Sequence, residues 1–339
     1  MTRLAALLPG LSLSLAVALA SYWGEAAMLG SFGLRVPAIV IALILGMCLV
    51  TFAAQKTFAP GLTYAVKKLL RYAIALLGLR ASISDIVGLG WTTALIVVAS
   101  MAFTVVAGVW AARRFGRSDA YGALVGGATA VCGASAALAI STVIPNSPER
   151  DADTAFTVLA VNALATLAML AYPLIATALH FSDHATGILL GATIHDVAQV
   201  VGAGYAVSDA AGNVAVIVKL FRVFLLLPVV LAIGWHFARQ GGGTSDARVP
   251  VPVFALVFLG LALVNSFVAG NSALAPFYVP LKFWLGEASR WGLLVAIAAL
   301  GLGTSARMIF TIGWGHIATV GVATLAILAF VLAAQVLTA

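Results

Sequence analysis

The sequence predicts an all-α protein that crosses a membrane many times. Of its 339 residues, 63% are apolar and only 9% are Asp, Glu, Lys or Arg, and the mean hydropathy is +1.12. A soluble domain carries roughly a quarter charged residues, and it could not bury so much apolar surface. Because lipid offers no hydrogen-bond partners to exposed strands or loops, the membrane spans are expected to be helices.

About eleven stretches are long enough to span a bilayer, whose core of about 30 Å requires about 20 apolar helical residues. Proline and glycine punctuate the gaps, and tryptophans lie near the proposed ends, as in aromatic belts. The first span resembles a signal peptide, but its length and the ten spans that follow favour a retained helix. The predicted spans are residues 4–23, 36–54, 61–84, 91–112, 120–144, 154–179, 184–208, 213–238, 250–269, 286–306 and 313–337.

The distribution of basic residues predicts a cytoplasmic N-terminus and a periplasmic C-terminus, because Lys and Arg concentrate on the inner side. Acidic loop residues, including Glu149, Asp151 and Asp153, then lie mostly outside. Eleven basic residues fall inside and five outside. The inner set is Arg3, Lys56, Lys67, Lys68, Arg71, Arg113, Arg114, Arg117, Arg239, Arg248 and Arg307, and the outer set is Arg35, Arg80, Arg150, Lys282 and Arg290.

Three short sequence matches recur in the same order, each five spans apart. An odd offset inverts the second copy, as in many secondary transporters. The matches pair Leu45-Gly46 with Leu190-Gly191, Lys68-Leu69-Leu70-Arg71 with Lys219-Leu220-Phe221-Arg222, and Gly133-Ala134-Ser135-Ala136 with Gly303-Thr304-Ser305-Ala306.

The predicted organisation is therefore one transmembrane domain, residues 1–339, built from an extra N-terminal helix and an inverted 5+5 repeat. The extra helix lies in residues 1–35, and the repeats occupy 36–180 and 184–339. A rival register, which aligns 77–91 with 300–314, pairs spans three and ten instead.

The glycine-rich centres of spans five and ten are the first candidate site. Glycine in mid-span permits a helix to unwind, so that free N–H groups and hydroxyls can face an anion. The residues expected to contact substrate are Gly133, Ser135, Gly303, Thr304 and Ser305. The alternative is close helix packing through small residues.

Ionisable residues inside span seven are the second candidate. His195 and Asp196 are adjacent at membrane depth, where such residues are costly and usually functional. Histidine titrates near neutral pH, so the pair is a candidate proton relay, and Gln199 shares a helix face with each of them. The sequence suggests Arg222 as the basic partner of Asp196. The alternative is a structural polar pair.

Two basic clusters, Lys68/Arg71 and Lys219/Arg222, are the third candidate. Arg71 and Arg222 lie about ten residues inside their spans, or roughly 15 Å, so they are expected to attract an anionic substrate. The alternative is snorkelling towards lipid headgroups.

Several other classes of site are not supported. The two cysteines, Cys48 and Cys132, lie in apolar runs, which argues against a disulfide scaffold or a zinc site. There is no P-loop and no His-Glu-x-x-His motif, so neither an ATP-driven pump nor a metalloprotease is indicated. Basic residues scattered among spans do not predict nucleic-acid binding. No cofactor is expected.

Five segments together resemble the YeiH-type bacterial inner-membrane family, whose members are often labelled sulfate exporters. The resemblance covers essentially the whole chain, and its most specific piece is the run His195–Val201. It implies a multi-pass protein of the inner membrane. By looser analogy it implies a fold like that of the bile-acid:sodium symporters and sodium/proton antiporters, with two broken helices, here spans five and ten, that cross in mid-membrane. The segments are 69–80, 131–136, 193–201, 219–222 and 298–302.

The expected function is a secondary transporter, in the exporting direction, of a small anion such as sulfate, sulfite or an organic sulfonate. His195 and Asp196 would couple transport to protons. Alternatives are a cation/proton antiporter that uses Asp196 and a sodium-coupled organic anion symporter. An intramembrane enzyme using Ser135 and His195 is disfavoured. The expected partners are the anion, protons or sodium, and the lipid bilayer, with a homodimer left open.

Overall fold

A computed structural model describes residues 3–32, 36–239, 253–268, 274–303 and 314–338, and all regular elements within them are helical. A π-helical turn, Ala65–Leu69, joins α4 to α5. In chain order the helices are α1 Arg3–Phe32, α2 Ala38–Cys48, α3 Val50–Ala53, α4 Ala59–Tyr64, α5 Leu70–Leu77, α6 Ile83–Gly88, α7 Gly90–Arg114, α8 Asp119–Ala130, α9 Ala134–Ser141, α10 Arg150–Ala178, α11 Asp183–Thr193, α12 Val197–Val207, α13 Asp209–Phe224, α14 Leu226–Arg239, α15 Val253–Val268, α16 Ala275–Gly303 and α17 Trp314–Thr338.

Six helical stretches in the described part of the chain are long and apolar enough to cross a bilayer. This confirms the prediction of a polytopic helical membrane protein. The stretches are Ala5–Ser31, Gly90–Arg114, Arg150–Ala178, Asp209–Arg239, Pro276–Gly303 and Trp314–Thr338.

The chain forms two compact units. The first contains residues 1–88, 205–207 and 253–305, and the second contains 89–204, 208–252 and 306–339. In the first unit, buried residues of α1, α2, α4 and α16 share one apolar core. Glycines let these helices approach closely: a Cβ on Gly301 would lie 2.5 Å from the carbonyl oxygen of Leu43. Such small-residue contacts are a usual way to pack helices in membranes.

In the second unit, residues 119–141 form a helical hairpin, called hairpin 1 below. Helix α8 ends at Ala130, and α9 begins at Ala134. A Cβ on Gly127 would overlap the δ-methyl group of Ile140, although 13 residues of straight helix would separate these positions by about 20 Å. The chain therefore folds back on itself, and the predicted crossing at 120–144 is wrong.

Residues 183–207 form hairpin 2 in the same way. The Ser208 hydroxyl, directly after α12, donates a 2.7 Å hydrogen bond to the carboxylate of Asp183 at the start of α11. A continuous helix would hold these two residues about 37 Å apart. The predicted crossing at 184–208 is therefore also wrong, because the chain leaves on the side where it entered.

The two hairpins enter from opposite ends of α10 and α17. At the mouth of hairpin 1, Asp153 at the start of α10 accepts hydrogen bonds from Arg117 (2.8 Å) and from the ring of His316 at the start of α17 (3.1 Å). At the mouth of hairpin 2, the Gln335 amide near the end of α17 donates to the carbonyl oxygen of Ala185 (2.9 Å). The mouths thus open towards opposite faces of this unit.

These contacts change the predicted topology at two loops, because residues 145–153 and residues 180–183 exchange sides. Residues 149–153 lie on the side of Arg117 rather than opposite it, because hairpin 1 does not cross. Moving Arg150 changes the expected basic count from eleven against five to twelve against four. Replacing two spans by hairpins lowers the expected number of crossings from eleven to nine, an odd number that keeps the termini on opposite sides.

The hairpins are related in sequence by a constant offset of 64 residues. In each, a serine caps the first helix by accepting from the backbone N–H three residues on, at 3.2 Å, a common helix start. This pairing differs from both registers above, and the 5+5 division stays a prediction. The identical residues are Ser118-Asp119 and Ser182-Asp183, Gly127-Ala128-Thr129 and Gly191-Ala192-Thr193, Ala134 and Ala198, Ala139 and Ala203, and Val143 and Val207.

Candidate functional site

The tips of the two hairpins meet. Gly133 in the first tip has a positive φ of 64°, a conformation that glycine adopts at no steric cost. A Cβ built on Gly133 would lie 3.6 Å from the carbonyl oxygen of His195 and 3.7 Å from the Cβ of Asp196. The two helix interruptions are therefore in direct contact.

The tips lie at half the height of the unit. The Gln199 amide donates to the hydroxyl of Thr166 on α10 at 3.4 Å, and the His195 Nε2 lies 2.9 Å from the hydroxyl of Thr324 on α17. Thr166 and Thr324 are both close to the middle of their helices. Half of the 29-residue α10 measures about 22 Å, so the tips lie far from both ends of a helix that is long enough to cross a bilayer.

Two buried cations of α13 hold the carboxyl-terminal ends of α8 and α11. Lys219 and Arg222 are both 0% exposed, and all seven hydrogen bonds that they donate below go to backbone carbonyl oxygens. Carbonyl oxygens at the carboxyl-terminal end of a helix lack hydrogen-bond partners within the helix, and they carry the negative charge of the helix dipole. Lys219 Nζ donates to Val131 (2.7 Å), Ile194 (2.9 Å) and His195, and the Arg222 guanidinium donates to Thr129 (2.8 Å), Ala130 (2.9 Å), Gly191 (3.0 Å) and Ile194 (3.0 Å).

The amino-terminal ends of α9 and α12 start from the same place but are capped unequally. The Asp196 carboxylate caps α12 by accepting from the Val197 N–H at 2.8 Å. At α9 the N-cap position is Gly133, which has no side chain to offer. Ala134, Ser135 and Asp196 are half-buried, whereas the residues around them in both tips are buried. The accessible part of the tips is thus the start of these two helices.

The charges of the tips do not balance at the amino-terminal ends. Two negative helix ends are matched by Lys219 and Arg222. Two positive helix ends have one carboxylate, Asp196, between them. Helix amino termini bind anions through free N–H groups and the dipole. The start of α9, with the Ser135 hydroxyl in its first turn, is therefore suited to an anion.

Buried polar atoms without a partner in the described structure surround the tips. They are the Thr129 hydroxyl oxygen, the Nδ1 atom of His195 and the Oε1 atom of Gln199. Unpaired buried polar atoms are rare and usually indicate a function or a bound molecule.

Six of the predicted site residues come together in the second unit: Gly133, Ser135, His195, Asp196, Gln199 and Arg222. The Arg222 guanidinium donates its hydrogen bonds to backbone carbonyl oxygens at helix ends. This geometry does not support its predicted roles as the partner of Asp196 or as a residue that attracts the substrate. Thr324 was absent from the predicted set, and Lys219 was predicted only as a member of the Lys219/Arg222 cluster. The signal that could have found the meeting of the tips is the 64-residue offset.

Two other predicted residues, Arg71 and Gly303, are in the first unit. Arg71 is exposed on α5 of the first unit, with its guanidinium 5.9 Å from the ring centre of Phe254. Gly303 is the exposed last residue of α16, which is unbroken up to that point. Span ten therefore has no mid-helix break in its described part. Thr304 and Ser305 lie outside the described residues.

Comparison with known proteins shows which family the chain belongs to. A family model described as conserved hypothetical protein 698 matches residues 9–335. The chain belongs to this family. The chain is 42% identical over 329 residues to UPF0324 membrane protein RB0971 of Rhizobium meliloti (strain 1021), covering 96% of this chain and 91% of that protein.

Other UPF0324 relatives are similar over most of their length. UPF0324 membrane protein TauZ of Paracoccus denitrificans is 40% identical, with 87% of this chain and 86% of that protein covered. UPF0324 membrane protein CT0845 of Chlorobaculum tepidum is 39% identical, with 82% and 76% covered. The YeiH-type resemblance is confirmed. No solved structure matches the chain.

Proposed function

We propose that this UPF0324 protein is a secondary transporter that moves a small anion across the bacterial inner membrane. The observation that carries the proposal is the convergence of two helix amino termini, with one carboxylate, at half the height of the second unit. An oriented N–H array in a low-dielectric setting is an economical way to bind an anion without trapping it in a permanent ion pair.

The anion binds at the start of α9. The N–H groups of Ala134 and Ser135 and the Ser135 hydroxyl are its donors, and Gly133 leaves the space that a side chain would fill. Lys219 and Arg222 hold the tips together and do not contact the substrate. Sulfate, sulfite and organic sulfonates have the oxygen acceptors that such a site requires.

The opposed hairpins provide two routes to one site. The mouth of hairpin 1 faces one membrane surface and the mouth of hairpin 2 faces the other. Opening at one mouth while the other stays closed gives alternating access around a central site, as in inverted-repeat transporters.

Coupling is assigned to His195 and Asp196, as a proton relay. Asp196 is half-buried at the tip, and His195 Nε2 lies within hydrogen-bond distance of Thr324. The alternatives are a cation/proton antiporter, in which Asp196 binds the ion, and a sodium-coupled anion symporter. Two positive helix ends against one carboxylate favour an anion as the main substrate.

The test is transport of labelled sulfate and sulfonates into proteoliposomes, with and without a pH or sodium gradient. Ser135→Ala should lower anion transport at least tenfold. Ser141→Ala is the matched control, because Ser141 lies at the other end of α9 and bonds only within it, to the Leu138 carbonyl. Equal transport by the two variants, or sodium/proton exchange without any anion flux, would overturn the proposal.

A further inference from the structure

The amide of Gln199 has a fixed orientation and an unused acceptor. The Thr166 hydroxyl donates its proton to the carbonyl oxygen of Asn162 at 3.1 Å, so towards Gln199 it can only accept. The Gln199 Nε2 therefore faces Thr166, and Oε1 is left without a partner among the described residues. Gln199 is only 2% exposed. A buried carbonyl oxygen of this kind is costly to leave unpaired, and a donor group of a bound molecule would satisfy it.

The 64-residue offset pairs Gln199 with a residue of the proposed anion site. Gln199 is the counterpart of Ser135, and Asp196 is the counterpart of Cys132. Each pair is at the tip or in the first turn of the second helix of its hairpin. One half of the site thus presents a hydroxyl and free N–H donors, and the other presents a carboxylate and an amide oxygen. The two halves are chemically opposite.

We propose that the substrate is a zwitterion, a small anion that also carries an ammonium group. This inference rests on the proposed function and names its substrate class. The anionic end binds at the start of α9, and the ammonium end binds between Asp196 and the Gln199 Oε1. Inorganic sulfate has no donor for that oxygen and would place a second negative charge beside Asp196. Because Gly133 and Asp196 are adjacent, a short carbon chain suffices between the charged ends.

The experiment compares three ligands on the purified, full-length protein in sodium-free buffer by calorimetry. The ligands are 3-aminopropanesulfonate, 1-propanesulfonate, which lacks only the ammonium group, and sulfate. The aminosulfonate should bind at least tenfold more tightly than the other two. This measurement on the unmodified protein does not depend on whether any variant folds.

Two variants test whether the preference for the aminosulfonate depends on Gln199. Gln199→Met keeps the side-chain length and removes the acceptor, and it should weaken the aminosulfonate at least fivefold while leaving 1-propanesulfonate unchanged. Gln335→Met is the matched control, because Gln335 also has an unpaired Oε1 and one amide hydrogen bond, but at the mouth of hairpin 2. It should leave the preference intact. A preference that survives Gln199→Met would overturn the assignment.

The remaining outcomes separate this inference from the proposed function. If all three ligands bind equally and Ser135→Ala weakens them, the anion site stands and the zwitterion is excluded. If sodium raises 1-propanesulfonate to the affinity of the aminosulfonate, the acceptors hold a metal cation and the ammonium assignment is wrong. If the folded protein binds none of them, the proposed anion function fails as well.

Discussion

Two clusters with the same Lys-x-x-Arg spacing have opposite environments in this molecule. Lys68 and Arg71 are exposed on one helical turn, near the rings of Tyr64 and Phe254 at 5.9 Å each. Lys219 and Arg222 are fully buried and bind carbonyl oxygens. The spacing sets which face of a helix carries the charges. The role of the charges depends on whether the carboxyl-terminal ends of other helices lie next to that face.

The energetic difference between the clusters follows from solvation. A buried charge is tolerated only when hydrogen bonds replace its hydration, and removing one partner then typically costs about 3–5 kcal/mol. An exposed cation near an aromatic ring gains only about 0.5–1 kcal/mol. The comparison therefore predicts a graded series of effects.

The largest effect is expected for Arg222→Met, which keeps the side-chain volume and removes four hydrogen bonds. We expect a loss of about 3–5 kcal/mol in the free energy of unfolding, seen as a much lower melting temperature in detergent or as failure to fold. Arg71→Met is the control and should change stability by about 1 kcal/mol or less. Equal losses for both variants would remove the distinction between the clusters.

A smaller effect is expected for Lys219→Met. Lys219 has three carbonyl partners where Arg222 has four, so its loss should cost about 2–4 kcal/mol and should also slow anion transport, because the tips lose their link. Lys68→Met should leave both the melting temperature and transport close to wild type. Transport that falls more in Lys68→Met than in Lys219→Met would reverse the proposed roles.

Asp196→Asn tests the role of the carboxylate at the tips separately from the roles of Lys219 and Arg222. Asparagine retains an oxygen that can cap α12, so the melting temperature should change by less than in either variant above. If His195 and Asp196 relay protons, transport should lose its dependence on pH. A well-folded Asp196→Asn, His195→Gln double variant with unchanged pH dependence would exclude the relay.

The hairpins themselves can be tested by labelling that has almost no effect on stability. Single cysteines at the exposed positions Arg114 and Asn146, in a cysteine-free background, should react with a membrane-impermeant maleimide from the same side. A cysteine at His180 should react from the other side. Labelling of Arg114→Cys and Asn146→Cys from opposite sides would show that residues 120–144 cross the membrane. In that case the hairpin tip that Lys219 binds would not exist.

Composition was sufficient to predict a helical membrane protein, because 63% apolar content leaves few other folds. The residues of the tips were also identifiable, since glycine and ionisable residues are conspicuous in mid-span. The hairpins were not, because 25 apolar residues fit one crossing or two half-crossings equally well. The contact between Asp183 and Ser208 that decides between them is made by the fold as a whole.

The hydrogen-bond partners of Arg222 could not be predicted from the sequence for a related reason. Side-chain chemistry suggested the carboxylate of Asp196. Backbone carbonyl oxygens, which accept its hydrogen bonds instead, are present at all positions and leave no mark in a sequence. They become available only where helices end, so the location of the helix ends has to be known first.

The distance along the chain between hairpin 1 and its cations has a consequence for biogenesis. Thr129 and Arg222 are 93 residues apart, and at synthesis rates of 5–20 residues per second the ribosome needs roughly 5–20 s to cover that distance. During this interval the carbonyl ends of the nascent α8 have no cation to bind. Hairpin 1 should therefore wait at the membrane surface and enter only when α13 has been made.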